Sequence, residues 1–513
     1  MKQKKNKQNQ ATAATPETPS KKGKEKAVVK RSFFKFIITG NNRKFLLGGF
    51  AIGLLYFIIL RVMYPIPLYF PDSFTYIQVA RDSKTVSFRP VQYGQIISFF
   101  KNYSDSDFAL ILGQYFTSVI ANLFLFFTFI YFFSFRKLNQ LLLFIVTICN
   151  PLYLFCSNFV LADSLFSSFT VIWFALLIWI LYNPRWYYTL FQLVLLFLLF
   201  KLRYNAIIFP FFTTLTLLLS KQPAWKKTLS IGLNFLIIGM LVYNVMNDTE
   251  DQTGIRTFSA FGGWQMGNNA LFVLRENRNV DMTSIDDDDV RNVLVFTQKY
   301  WDTCKAPYDT AGVSGFYMWD KTSPLKQYIN QYAAQNHYTN YFNAWTALGP
   351  VYQKFGQEII LQKPGAYLNR FVKRNAGFYF LPPFEAYGEY DTKLDTLPAV
   401  VTNYYQYKTN KSGQNHPWVY SIFIHPWYYL FAVLNVLFII TAITYFFTKR
   451  YKQMPILFNK TLLCYSVFYL GNFFFVVLLA PTTFRYHIFI ITLTLPILIW
   501  LLQQLIKPVQ KST

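Results

Sequence analysis

The stretch Phe45-Leu46-Leu47-Gly48-Gly49-Phe50-Ala51-Ile52-Gly53-Leu54-Leu55-Tyr56-Phe57-Ile58-Ile59-Leu60-Arg61-Val62-Met63 holds one charge, Arg61. As a helix it spans the roughly 30 Å hydrocarbon core of a bilayer. It lacks the polar face that a helix on a soluble core would show. Nine further apolar segments follow, near 108–134, 138–156, 162–182, 186–201, 205–220, 227–246, 427–447, 456–480 and 485–506. The pair at 186–201 and 205–220 is short and reads as a tight hairpin. The expectation is an all-α polytopic membrane protein with about ten transmembrane helices. Composition agrees: the 513 residues are 53% hydrophobic and only 14% charged, against about 25% charged in soluble domains. That deficit excludes a soluble enzyme, a disordered protein and a coiled coil.

Residues 1–44, ahead of the first span, carry 13 Lys and Arg against Glu17 and Glu25. Low hydrophobicity and repeated Lys predict a disordered tail. The span behind it has no small-residue cleavage site, so it reads as an anchor rather than a removable signal. The basic flank places both termini in the cytoplasm. With that orientation the inner loops and tails hold 25 basic residues and two acids, and the other 22 acids all fall outside. The net charge of +25 is therefore mostly a positive-inside signal, and a nucleic-acid partner is not needed to explain it. The lipid bilayer is the partner this charge distribution points to.

The chain divides into the basic tail 1–44, an N-terminal transmembrane module 45–246 containing the first outer loop 64–107, an outer region 247–426, and C-terminal transmembrane helices 427–513. The outer region has 16 basic and 17 acidic residues and is long enough to fold as a mainly α domain. Gly262–Asn269 is Gly/Asn-rich, a helical stretch is expected over Ser323–Gln362 with Ser323-Pro324 as its start, and Pro364–Asn375 is amphipathic. The four Cys (Cys149, Cys156, Cys304 and Cys464) form no CxxC pair and read as packing residues. His337, His416, His425 and His487 have no metal-ligand spacing. The acids at 286–289 read as a solvated turn. No phosphate-cradling GxxxxGK[ST] is present, so ATP-driven transport has no support.

Chemistry concentrates where charges border the apolar runs. In Pro71-Asp72-Ser73-Phe74-Thr75-Tyr76, a carboxylate stands just outside the bilayer, at head-group depth. It is either the N-cap of the helix it opens or a base facing a lipid-borne substrate. Asp163, in Leu161-Ala162-Asp163-Ser164, is the only acid between 108 and 247. It too is either a cap or a buried functional carboxylate. Arg203 and Arg485 lie at the outer edge, where basic residues are disfavoured. Guanidinium grips phosphate oxygens bidentately, so a phosphate-bearing lipid is their natural ligand. Lys201 reads as a snorkelling side chain.

Taken in order, these patterns resemble the GT-C superfamily of integral-membrane glycosyltransferases, in particular the bacterial relatives of protein O-mannosyltransferases and of lipid A aminoarabinose transferases. The likeness rests on Pro71-Asp72-Ser73-x-x-Tyr76 with Arg89-Pro90-x-x-Tyr93, on Asn150-Pro151 with Asp163-Ser164-Leu165-Phe166, on Leu202-Arg203-Tyr204-Asn205, and on Arg485-Tyr486. It is strong over about 60–210, thinner over the last two spans and vague in 247–426. Members often carry paired acids in the first loop; here Ser73 follows Asp72, and one carboxylate is a poor divalent site. No cofactor is expected; a divalent cation stays open but has no support in these residues.

The resemblance implies an inverting glycosyltransferase of the cell envelope, in the inner membrane, with its active site facing outward. It would move a sugar from a polyprenyl-phosphate donor to a hydroxyl of an acceptor lipid, glycan or protein. Asp72 would be the base, Asp163, Tyr76 and Asp82 would orient acceptor or sugar hydroxyls, and Arg89, Arg203 and Arg485 would hold the donor phosphate. Trp264 and Tyr341 are candidate sugar-stacking rings. Two other functions fit a multispan chain with a large outer loop: a polymerase or ligase acting on diphosphate-linked oligosaccharides, and a non-enzymatic lipid or solute transporter.

Overall fold

The computed structural model describes residues 32–303, 314–383, 396–413 and 416–506. All its named elements are helices, joined by two isolated bridges, Leu68 with Phe159 and Thr396 with Lys411. Helix is what an apolar solvent demands, because each backbone N–H and C=O is then satisfied within its own segment. Among the described residues eight helices are long and apolar enough to cross a membrane: Gly40–Met63, Phe108–Phe132, Lys137–Ser157, Asp163–Tyr182, Ala224–Thr253, Pro417–Phe447, Ile456–Leu479 and Phe484–Leu505. The expected hairpin is a pair of shorter apolar helices, Trp186–Leu202 and Tyr204–Leu219. Its second arm opens with a 3-10 turn, Tyr204–Ile208.

Burial separates centre from periphery. The most apolar windows of Asp163–Tyr182 and Phe484–Leu505 are 89% buried, those of Gly40–Met63 and Ala224–Thr253 only 22%. The first span accordingly leaves Leu54, Leu55, Ile58, Ile59 and Val62 exposed and turns Gly49, Gly53, Phe57 and Leu60 inward. An outward apolar stripe of this kind suits lipid, not water. Inside the bundle, Ser118, Ser157, Ser164 and Ser168 share hydroxyl bonds of 2.6–3.4 Å, so the buried polar groups satisfy one another. Cys156 and Cys464 are buried and Cys149 is partly so; Cys304, most of the basic N-terminal tail, Lys507 and Lys511 lie outside the described residues.

The large polar region builds a second apolar core around helices Ala260–Leu274 and Tyr341–Gln362. The Gly/Asn-rich segment is the contact face of the first of these. A Cβ on Gly263 would stand 1.8 Å from the Gly349 carbonyl oxygen, so only glycine permits this approach. Gly263→Ala should force the helices apart at a cost of about 1–3 kcal/mol or more, read as a lowered unfolding temperature in detergent. Gly262→Ala, whose Cβ would meet nothing nearer than 3.7 Å, is the matched control; equal unfolding temperatures would contradict this packing.

The helix expected over 323–362 is two helices, Pro324–Gln335 and Tyr341–Gln362, because the chain turns at His337 with φ of 57°. Ser323 does cap the first, accepting from the Lys326 N–H. The amphipathic segment at 364–375 continues through a π-turn, Leu368–Val372, into Lys373–Phe380. There the Asn375 amide donates to the carbonyls of Val476, Val477 and Ala480. Those carbonyls belong to the open end of the Ile456–Leu479 helix, so a side chain from the polar region closes it. A second tie joins the loops ahead of the site: Leu68 N–H donates to Asn158 O and Val160 N–H to Leu68 O.

Candidate active site

These ties bring together five charged side chains spread over more than 400 positions. Asp72 lies in the first turn of helix Pro71–Asp82. It does not cap that helix. The side chain that does is Ser73, which accepts from the Phe70 N–H at 2.9 Å. The Asp72 carboxylate turns instead to two guanidiniums: Arg89 Nη2 is 2.9 Å from Oδ1 and Arg485 Nη2 is 3.5 Å from Oδ2. Asp163 likewise makes no cap bond at the start of Asp163–Tyr182. It pairs with Arg203 and stands 3.7 Å from Arg485 Nε. Both cap readings give way to ion pairing.

Each cation is also held by aromatic faces. Arg89 lies 4.6 Å from the Phe261 ring centroid and 5.2 Å from that of Trp319. Arg203 lies 4.0 Å from Tyr486, and Arg485 is 5.2 Å from both Phe70 and Tyr486. Flat guanidiniums stack in this way and keep their edges free for anions. Arg203 is set at its place by the break between Trp186–Leu202 and the 3-10 turn, where its own backbone is extended. Arg485 sits in the short turn Phe484–His487, just past the helix end that Asn375 closes.

Asp72, Tyr76, Arg89, Asp163, Arg203 and Tyr486 line a cavity of about 570 Å³. Its other walls carry amides and rings from the polar region, among them Phe261, Gln265, Phe342 and Trp345, and apolar residues from spans, including Phe475 and Leu479. Polar and apolar walls meet there, as a ligand with a charged head and a lipid tail requires. Arg485 is off the wall, between the two carboxylates. Lys201 is on it, which adds a cation where the sequence suggested only snorkelling.

Three guanidiniums face two carboxylates, a net charge of +1 for the five groups. Burial alone would raise the Asp72 carboxyl, but Arg89 first and Arg485 second outweigh it and hold the group below its usual 3.8. Among the described residues no three His, Cys, Asp or Glu side chains come together as a metal site.

Two candidates fall outside this constellation. Asp82 closes the same helix as Asp72 but is solvated and pairs with its neighbours Arg81 and Lys84. Trp264 is fully buried, stacks on Trp345 and donates its indole N–H to the Trp345 carbonyl, so it has no face for a sugar. Tyr341 is 49% exposed and beside the cavity, packed on Phe88. Tyr486, Phe261, Trp319 and Trp345 were not singled out as site residues. Tyr486 could have been, from its place beside Arg485; the three rings of the polar region lie in no motif.

No protein-family model matches the chain, and no curated protein or solved structure is detectably similar to it.

Proposed function

We propose that this protein is a membrane glycosyltransferase that moves a sugar from a polyprenyl-phosphate donor to an acceptor hydroxyl, with inversion at the anomeric carbon. The observation that carries the reading is the convergence of Asp72, Asp163, Arg89, Arg203 and Arg485 at one cavity walled partly by span residues. With Lys201 and Asp248 on the wall counted too, the site carries a net +1, which matches the single negative charge of a phosphodiester donor. Apolar wall residues such as Phe475 and Leu479 suit the first isoprene units.

In the reaction the acceptor oxygen forms a bond to the anomeric carbon as the carbon–oxygen bond to phosphate breaks. The electron pair leaves with the polyprenyl phosphate, and the acceptor proton passes to Asp72. Arg203 and Arg89, both on the wall, hold the phosphate and stabilise the charge that grows on it. Arg485, behind the wall, keeps the two carboxylates apart and oriented. Asp163 and Tyr76 hold hydroxyls. The resting ion pairs make Asp72 a weak base. A bound phosphate draws Arg89 away from it, so Asp72 gains basicity when the donor is in place.

The topology supports an outward-facing site. Spans that leave the site end run towards the basic connections at Arg136, Arg185, Lys221 and Lys449, the arrangement expected of cytoplasmic loops. In an inner membrane, such an outward site would carry out the reaction on the extracytoplasmic face.

The test is lipid mass spectrometry on a strain lacking the gene, the same strain restored with the wild type, and the strain restored with Asp72→Asn. A polyprenyl-monophosphate sugar should accumulate in the first and third strains only. Accumulation of a diphosphate-linked oligosaccharide would point to a polymerase or ligase instead. Unchanged lipids would refute the donor.

A further inference from the structure

Beside the cavity, Lys326 is placed in a setting that its charge does not explain. It belongs to the first turn of Pro324–Gln335. Its Nζ lies 4.6 Å from the Trp264 ring centroid and 5.8 Å from those of Trp319 and Tyr341. It donates to the Tyr341 hydroxyl at 3.2 Å. No carboxylate pairs with it among the described residues, where thirteen ion-pair contacts involve other cations. Burial without a compensating acid holds the ammonium down at about 8. A partly desolvated cation of this kind gains most from an anion that enters from outside.

The rings around it are not equivalent. Trp264 is the buried floor, whereas Trp319 and Tyr341 are 45% and 49% exposed. Trp319 is also one of the two rings that hold Arg89, the partner of Asp72. Lys326 and Arg89 thus both contact that one ring. A ligand held on Lys326 and packed on Trp319 would lie against the ring that also holds the partner of Asp72. Exposed aromatic faces take the apolar face of a sugar ring, and the cation takes an acid group on it.

We propose that Lys326, Trp319 and Tyr341 form a subsite for an anionic saccharide, with a carboxylate or phosphate on Lys326 and a ring over Trp319. That this saccharide is the acceptor rests on the transferase reading; that it binds here does not.

Competitive acetylation of the full-length protein in neutral-lipid nanodiscs tests this. Burial lowers the Lys326 ammonium, so the free amine is available to acetic anhydride at mildly alkaline pH, and labelling is followed by peptide mass spectrometry. Glucose 6-phosphate and glucuronate are the probes; glucose and inorganic phosphate are the controls. Each probe should slow labelling of Lys326 roughly tenfold at ten times its Kd, and leave Lys299 and Lys321 unaffected. Trp319→Ala should reduce protection by glucose 6-phosphate to the level of inorganic phosphate, and Trp319→Phe should keep it, which guards against a merely misfolded variant. Equal protection by inorganic phosphate in the wild type would overturn the saccharide, leaving a bare anion site. Protection by phosphatidylglycerol in the nanodisc, with none by the sugars, would make the ligand a lipid head group and also overturn it. No protection by any probe would remove the site. Because the labelling needs no sugar transfer, its failure and failure of the transferase reading are distinguishable.

Discussion

Asp72→Asn is expected to lower sugar transfer by about 10²–10⁴-fold, the range that a positioned base contributes. The side chain keeps its shape, and Arg89 keeps the Phe261 and Trp319 faces that hold it. Arg485 retains Asp163. The variant should therefore remain folded and in the membrane, and transfer in vesicles from a defined polyprenyl-phosphate sugar is the measurement. Normal transfer would remove Asp72 as the base. The same substitution has a pH signature. The folded Asp72 carboxyl lies below its usual 3.8 because Arg89 and Arg485 overcome the effect of burial. A lowered folded value contributes stability above the unfolded value, and that stability is lost as pH falls through the folded one. Wild-type stability should thus fall on acidification below about pH 4, and Asp72→Asn should fall less steeply. Identical acid limbs in unfolding curves followed by intrinsic fluorescence would show that the ion pairs do not hold in solution.

Arg203→Met should be the most destabilising substitution at the site. It leaves Asp163, whose side chain is 7% exposed, with only the 3.7 Å contact to Arg485. Breaking a buried ion pair by removing one partner costs about 3–5 kcal/mol, whereas replacing both by apolar groups is often neutral. Arg203→Met with Asp163→Leu should therefore recover most of the unfolding temperature in detergent. Neither protein should transfer sugar at the wild-type rate, because one of the two phosphate-holding arginines is gone from both. A single variant as stable as the wild type would contradict the buried pair. A double variant that transfers normally would remove Arg203 and Asp163 from the mechanism.

Four of the seven proposed site charges and hydroxyls are conspicuous for a simple reason. Asp72, Asp163, Arg203 and Arg485 interrupt or border apolar runs, where an ion is costly and seldom kept without use; Arg89 lies inside the outer loop and is marked only by the resemblance. Tyr76 follows Asp72 at helical spacing and does reach the cavity. Asp82 was drawn in by proximity along the chain, and its solvated pairing with Arg81 and Lys84 depends on which way the last helical turn faces. For Asp72 and Asp163, an Asp at a helix start makes a cap and an ion pair look alike. Only a partner far along the chain separates them, and for Asp72 that partner includes Arg485, 413 positions away. The polar region was least legible. Its aromatic residues pack at ordinary helical spacing, so nothing local separates buried Trp264 from exposed Trp319.

By itself the sequence determined the all-helical character of the chain and the placing of apolar segments long enough to cross a membrane. These follow from bilayer thickness, which acts on each segment separately. Only the tertiary structure decided which acid meets which arginine, that Arg485 stands behind the cavity wall while Arg203 and Lys201 stand on it, and which rings are free to meet a ligand. Those are properties of packing between distant segments, and burial and pairing energies depend on neighbours that no local pattern specifies.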